Sequence, residues 1–401
     1  CAAPRHDRGA PLRRRKRRVA RVTPRACGLA YDRALIQKEH RMATTSAAPL
    51  AGLVNHQVRL AARPVGLPRP ADWQHTTQPV AEPPEGGVLV KTLMLSLDPA
   101  MRGWMNEGKS YIPPVGLGDV MRAGGIGRVI ASRHPAFAVG DTVSGGTGVQ
   151  EYASFASDQV KRSGLAKIDL RLGTPAQWLN VLGMPGMTAY FGLMDVGQPK
   201  VGDVVVVSGA AGAVGQTVGQ LAKIKGCRVV GIAGGPAKCE WVVKELGFDA
   251  CIDYKARAPQ GASRWDAVKE GLKQHCPDGV DVYFDNVGGD ILDAVLARLK
   301  RGARIVICGA ISQYNNTTPV QGPKNYLSLL VNRARMQGMV VFDYADRYPV
   351  AIAELAGHLK DGRMKSREDV VEGGVSTFPD ALLKLFAGEN FGKLVLKVAE
   401  A

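Results

Sequence analysis

Hydrophobic positions change their period along this chain. From Val54 to about Val181 they fall in short β-rich pieces, Val88–Leu97, Gly125–Ala131, Asp141–Gly145 and Gln150–Phe155, separated by Gly, Pro and Asp. That spacing predicts a compact barrel of short strands. From Pro175 to Val196 the period becomes helical, with Trp178, Leu182, Met187, Tyr190, Phe191 and Met194 recurring on one side and Pro185-Gly186 interrupting them. The valine run Val204–Val207 suits a strand buried on both faces. Ser208 to Gly215 then turns into a helix-period segment from Val214 to Lys223.

Beyond that turn, strand-like and helix-like segments alternate. Strand Arg228–Ile232 precedes helix Ala237–Leu246, strand Ala250–Tyr254 precedes helix Trp265–Gln274, and strand Val280–Asp285 precedes helix Ile291–Leu299. Strand Arg304–Cys308, a helix around Tyr326–Arg333, the apolar run Met336–Phe342 and helix Tyr348–Asp361 follow. Alternation of this kind predicts an α/β domain, a parallel sheet covered by helices on both faces. The tail, Phe391–Val398, alternates like a strand again and is expected to return to the first domain.

The strand–turn–helix at Val204–Gln220 carries glycines at Gly209, Gly212, Gly215 and Gly219. Glycines there let backbone N–H groups approach a pyrophosphate, and a helix N-terminus adds partial positive charge. The spacing differs from G-x-G-x-x-G, so a glycine turn serving only to pack helix on strand stays open at this level. The next strand ends at Ile232-Ala233-Gly234-Gly235-Pro236-Ala237-Lys238, where an NAD site would carry an acid for the ribose 2′-hydroxyl. No acid is present. Gly234 leaves room for a 2′-phosphate and Lys238 supplies a cation, which points to NADP; a solvated helix lysine is the alternative reading of Lys238.

Composition adds limits. At 401 residues and 45% apolar the chain can bury more than one core. No apolar run is long enough to span a bilayer, so no membrane partner is expected. Seven cysteines are scattered without a C-x-x-C pair or a Cys/His cluster, which favours reduced thiols, a cytoplasmic setting and no metal site. The net charge of +16 is concentrated at the start: residues 1–41 carry 13 Lys+Arg against Asp7, Asp32 and Glu39, hence +10, leaving +6 for the remainder. This stretch reads as translated sequence upstream of Met42, as a transit peptide with an organellar destination, or as a nucleic-acid arm. No nucleic-acid partner is expected for the folded part.

With the turn and the corner in place, the chain resembles the zinc-independent medium-chain reductases, specifically the leukotriene/prostaglandin, alkenal and curcumin reductase group. The segments that carry the resemblance are LSLDPAMRGWMN (Leu95–Asn106), LGMPGMTAYFGLMDVG (Leu182–Gly197), SGAAGAVGQTVGQLAK (Ser208–Lys223), YFDNVGG (Tyr283–Gly289), ICGAISQYN (Ile307–Asn315) and ENFGKLVLK (Glu389–Lys397). It covers about residues 54–398. It implies a Rossmann doubly wound parallel sheet plus a GroES-like β-barrel substrate domain. The expected layout is a basic leader over 1–49, the substrate domain over 50–181 completed by 366–401, and the NADP-binding domain over 182–365.

The resemblance also implies site residues. Gly212, Ala213, Val214 and Gly215 would touch the pyrophosphate, and Lys238 with Tyr254 would hold the 2′-phosphate. Asn286 would lie against the cofactor, Cys308, Gly309 and the residues through Tyr314 would line its far side, and Met339, Val340, Val341 and Asn390 would close on the nicotinamide. Met187 and Thr188 are further candidates at the nicotinamide, through the break at Pro185-Gly186. Much of the group has a Tyr after Asp98-Pro99, where this chain has Ala100; Tyr111 is the candidate to replace it, a Tyr packed on a loop being the alternative. A homodimer is implied as well.

The implied chemistry is NADPH-dependent reduction of the activated C=C bond of enals and enones. Hydride arrives at the β-carbon and charge grows on the carbonyl oxygen, where a hydrogen-bond donor must stabilise it. Tyr314, just past the fifth strand, is the expected donor because a phenol stays protonated at neutral pH. Asp98 and Arg102 are expected to form an ion pair that stiffens their loop rather than to act as acid and base. Two other readings stay open: a quinone oxidoreductase on the same fold, and a cofactor-binding protein without turnover that holds nucleic acid through the leader.

Overall fold

The computed structural model describes residues 50–256 and 264–400. The expectations for the leader lie outside the described residues.

The N-terminal half is built from short strands. β1 (Val54–Leu60) and β2 (Trp73–Pro79) form an antiparallel pair. β3 (Val88–Ser96), β4 (Gly125–Ser132), β5 (Thr142–Gly145) and β7 (Ala166–Lys167) run side by side and antiparallel. β6 (Tyr152–Phe155) pairs with the first half of β3. The second half pairs with a strand from the far end of the chain, β15 (Lys393–Lys397), which in turn holds β14 (Glu368–Val371). The alternating tail therefore does return to the first sheet. β3 is almost wholly buried because it is flanked along its whole length.

The second sheet is parallel throughout. β8 (Val204–Ser208), β9 (Arg228–Ala233), β10 (Ala250–Asp253), β11 (Val280–Asp285), β12 (Leu299–Ile307) and β13 (Arg335–Gly338) lie in the order β10-β9-β8-β11-β12-β13. The chain winds outward from β8 to one side and then, from β11, to the other. The crevice where ligands bind in open parallel sheets is therefore at the carboxyl ends of β8 and β11.

The valine run explains the layering. Val205 and Val207 face a core shared with Val218 and Leu221 of helix Ala213–Ile224, whereas Val204 and Val206 face Val268, Leu272 and Ile291 on the opposite side. Each buried valine is worth roughly 2 kcal/mol, so both faces fix the register of β8.

Some elements differ from expectation. The helix expected over Ile291–Leu299 is Gly289–Leu296, and Leu299 already pairs with Val280 in the parallel ladder. The helical stretch before β8 divides into Pro175–Trp178 and Met184–Phe191, followed by a π-helical turn, Gly192–Gly197. Pro185 lies in the first turn of the second helix, where its missing N–H has no intrahelical partner to lose. The helix Phe378–Ala387 was not foreseen, although Phe378, Ala381, Leu382 and Leu385 bury one face at helical spacing.

Candidate functional site

The glycine turn divides its labour. Gly209 has φ +60°, and a Cβ on Gly215 would lie 2.2 Å from the Gly209 carbonyl oxygen. A Cβ on Gly219 would enter the Phe248 ring. These glycines let strand, turn and helix pack. Gly212 differs: a Cβ there would meet only the Gly209 oxygen, at 3.1 Å, and as N-cap of Ala213–Ile224 it provides no side-chain cap. The first-turn amides, those of Ala213, Val214 and Gly215, thus open a helix N-terminus that an anion can cap.

A second candidate corner lies at the ends of β9 and β10. A Cβ on Gly234 would stand 2.7 Å from the Tyr254 hydroxyl and 3.0 Å from Cε of Lys255. Lys238, at the start of helix Pro236–Lys244, is half-buried and donates to the Gly388 carbonyl at 2.8 Å. Burial lowers its pKa, and the positive charge of Lys255 lowers it further. Lys238 is thus half-buried rather than fully solvated, and the Lys255 ammonium lies within electrostatic reach of it. The sequence reading missed Lys255, and also Asp253, which accepts from the amides of Gly235 at 2.7 Å and Lys255 at 2.8 Å. The corner does carry a carboxylate, but from the neighbouring strand, where it fastens two loops together.

Asp285 stands on the other side of β8 from the second corner. It is buried at the end of β11 and accepts from the Ser208 hydroxyl, the Tyr283 hydroxyl and the amides of Val287 and Gly288 at 2.8–3.1 Å. Burial raises its pKa against the pull of those hydrogen bonds. Asn286 donates from Nδ2 to the Ser208 carbonyl at 2.7 Å, so the switch-point turns after β8 and β11 are tied to each other.

The far side follows β12 and β13. Cys308 packs at the core edge and burial pushes its thiol up to about 12. Tyr314 folds back over its own turn: its hydroxyl accepts from the Ala310 amide at 3.1 Å and would lie 2.9 Å from a Cβ on Gly309. Its O–H remains to donate. Burial raises its pKa, with smaller contributions from Cys308, Tyr111 and Asp285. Tyr111 thus stands within electrostatic reach of Tyr314. It is exposed, accepts from the Trp104 indole at 3.3 Å and meets the Phe342 ring at a centroid distance of 6.2 Å.

Met339 donates its amide to Ile307, Val340 is half-buried, and Val341 is buried with its carbonyl accepting from Tyr348 at 3.0 Å. Met187 is 2% exposed and lies in the core, while Thr188 is half-buried with its hydroxyl on the Met184 carbonyl. Asn390 donates to Gly392, whose amide reaches the Ala211 carbonyl at 3.0 Å. The 388–392 loop therefore lies against both the glycine turn and Lys238.

The expected Asp98–Arg102 ion pair does not form. Asp98 pairs with Lys393 at 2.7 Å, and Arg102, 3% exposed, donates to the carbonyls of Gly66 and Pro64 at 2.9 Å and to Asn106. The short helix Ala100–Trp104 and the turn before it are held by backbone acceptors and by the last strand. Among the described residues no group of three or more His, Cys, Asp or Glu could hold a metal ion.

Comparison with known proteins agrees with this architecture. A family described as the N-terminal domain of oxidoreductase matches residues 56–163, and one described as zinc-binding dehydrogenase matches residues 213–357. The chain is 43% identical to an NADPH-dependent curcumin reductase of Escherichia coli (strain K12), over 86% of this chain and 97% of that protein. It is 41% identical to an NADP(+)-dependent 2-alkenal reductase of Nicotiana tabacum, over 86% and 98%. The crystal structure of CurA from Vibrio vulnificus in complex with NADPH superposes with a TM-score of 0.78 at 43% identity, covering 86% of this chain and 100% of that one.

Proposed function

Because this chain belongs to the zinc-independent medium-chain dehydrogenase/reductases, we propose that it reduces the C=C bond of α,β-unsaturated aldehydes and ketones with NADPH. The chain is an NADP-dependent oxidoreductase. One observation supports the NADP assignment: Lys238 and Lys255, beyond the ends of β9 and β10, stand close enough to repel each other, a repulsion that a 2′-phosphate relieves and a 2′-hydroxyl does not. The open helix N-terminus at Gly212 fits the pyrophosphate.

Bound NADPH would supply a hydride to the β-carbon of the substrate. The chain's own residues then meet the charge that develops on the carbonyl oxygen. Tyr314 donates its O–H to that oxygen, and the Ala310 amide on the same hydroxyl orients the donated proton and strengthens the donor. Tyr111, within electrostatic reach of Tyr314, offers a second phenol to the substrate. The α-carbon is protonated from Tyr314, the cofactor ribose or water. The relatives named above act on curcumin and 2-alkenals by name, which favours an enone or enal over a quinone. Following product formation and NADPH loss with 2-alkenals, cyclic enones, long-chain enones and simple quinones tests the reading: stoichiometric saturated carbonyl supports it, and turnover of quinones alone overturns it.

The enzyme is further proposed to work as a homodimer. β13 ends the parallel sheet with all of its residues exposed, and the adjoining helix Leu327–Asn332 exposes Leu327, Leu330 and Val331. An open edge beside an apolar patch suits a second copy of the chain. Light scattering of the native protein and of Met336→Lys distinguishes a dimer that the substitution splits from a monomer.

A further inference from the structure

At the lysine corner two free cysteines face each other. Cys251, on β10, donates to Cys239, on helix Pro236–Lys244, with the sulfurs 2.9 Å apart. A disulfide needs them about 0.9 Å closer. Cys239 directly follows Lys238, and Cys251 precedes Asp253, Tyr254 and Lys255 on the strand end that forms the other wall of the corner.

We propose that Cys239 and Cys251 form a reversible disulfide that weakens binding of the 2′-phosphate of NADPH. The effect on NADPH rests on the corner being the phosphate site, whereas formation of the bond does not. The pair differs chemically from the other described cysteines. Burial raises Cys227 and Cys276 to about 11 and Cys308 to about 12, which keeps them protonated and unreactive. The hydrogen bond from Cys251 instead lowers the pKa of Cys239 and raises that of Cys251, so Cys239 is the attacking sulfur and Cys251 the resolving one. Both are half-buried and within reach of a small oxidant.

With hydrogen peroxide as oxidant the step balances. The Cys239 thiolate attacks one peroxide oxygen, the O–O bond breaks and hydroxide leaves, which takes up a proton. Cys251 then attacks the sulfenic sulfur; the S–O bond breaks, the S–S bond forms, and a second water leaves with the remaining protons. Two thiols lose two electrons and one peroxide becomes two waters. A dithiol reverses the change by exchange. Closing the sulfurs draws the first turn of helix Pro236–Lys244, and with it Lys238, toward the end of β10. Gly234, Tyr254 and Lys255 bound the space on that side, the Tyr254 hydroxyl standing 2.7 Å from where a Cβ on Gly234 would be. The space for a phosphate narrows, and NADH, which lacks the phosphate, is unaffected.

The full chain is treated with hydrogen peroxide without cofactor, digested and mapped by mass spectrometry, and titrated in parallel with NADPH and NADH by fluorescence. The expected result is a Cys239–Cys251 crosslink reversed by dithiothreitol, with NADPH Kd raised about fivefold or more and NADH Kd unchanged, a coupling at the low end of the usual range. Cys239→Ser and Cys251→Ser are expected to keep their NADPH affinity through the same treatment. No crosslink at this pair, or a crosslink that leaves NADPH Kd unchanged, overturns the proposal. If the reduced protein binds NADPH no better than NADH, the phosphate assignment and the coupling fall together, and the crosslink map separately decides the chemistry of the pair.

Discussion

The Lys393 ammonium, on the strand β15 that the chain's end returns to the first sheet, is buried 2.7 Å from the Asp98 carboxylate and 2.6 Å from the Leu97 carbonyl. Ser96 donates to the second oxygen of Asp98 at 2.5 Å. This contact joins the loop before Ala100 to the segment that covers the glycine turn.

The two partners are not equivalent. Asp98 keeps a quarter of its side chain in solvent, whereas Lys393 keeps 1%. Asp98→Ala strands a buried charge and is expected to cost about 3 kcal/mol or more, while Lys393→Met leaves a partly hydrated carboxylate and is expected to cost about 1 kcal/mol. Burial lowers the Lys393 pKa and Asp98 opposes that shift. In Asp98→Ala the folded pKa drops further below the unfolded one, so stability should rise with pH between those two values, as the ammonium is lost first from the folded state. Urea titrations across the alkaline range check both expectations.

Lys238→Ala should raise NADPH Kd about tenfold, as loss of one charge-assisted contact does, with little change for NADH. Because the Lys238 pKa is lowered, the preference of the native enzyme for NADPH over NADH should fade as pH rises, at a lower pH than a solvent-exposed lysine would give. Fluorescence titrations of both cofactors across pH check it.

Tyr314→Phe should reduce kcat with an enone roughly a hundredfold, the usual effect of losing one donor to a developing oxyanion, while NADPH Kd holds. Burial raises the Tyr314 pKa, so loss of the phenol proton should not limit the rate until pH exceeds the ordinary tyrosine range. Stopped-flow hydride transfer in native and variant enzyme separates the chemical step from binding.

The glycines should fail differently. Gly215→Ala forces a Cβ against backbone and should destabilise the fold by about 1–3 kcal/mol. Gly212→Ala fits its φ of −87° and should leave the melting temperature nearly unchanged while weakening NADPH and NADH alike. Thermal melts with cofactor titrations distinguish the two.

Much of this was legible in the sequence because period and glycine spacing act locally. The valine run, the glycine turn and the acid-free corner after β9 each follow from a few adjacent residues. What escaped depends on contacts between distant segments. Lys255, Asp253 and Asp285 look like ordinary strand-end polar residues until the parallel order sets their strand ends beside the Gly234 turn and the turn after β8. Asp98 lies just before the short helix Ala100–Trp104 that holds Arg102, yet Lys393 and the carbonyls of residues 64 and 66, which bind them, come from segments that no local pattern announces. The Cys239–Cys251 pair, likewise, exists only once helix Pro236–Lys244 packs on β10.

The most direct measurement is the product formed from a 2-alkenal when NADPH or NADH is supplied at equal concentration. Saturated aldehyde equal to the NADPH consumed, with NADH far less effective, is the predicted result. An allylic alcohol as product, or equal use of NADH, would contradict the account.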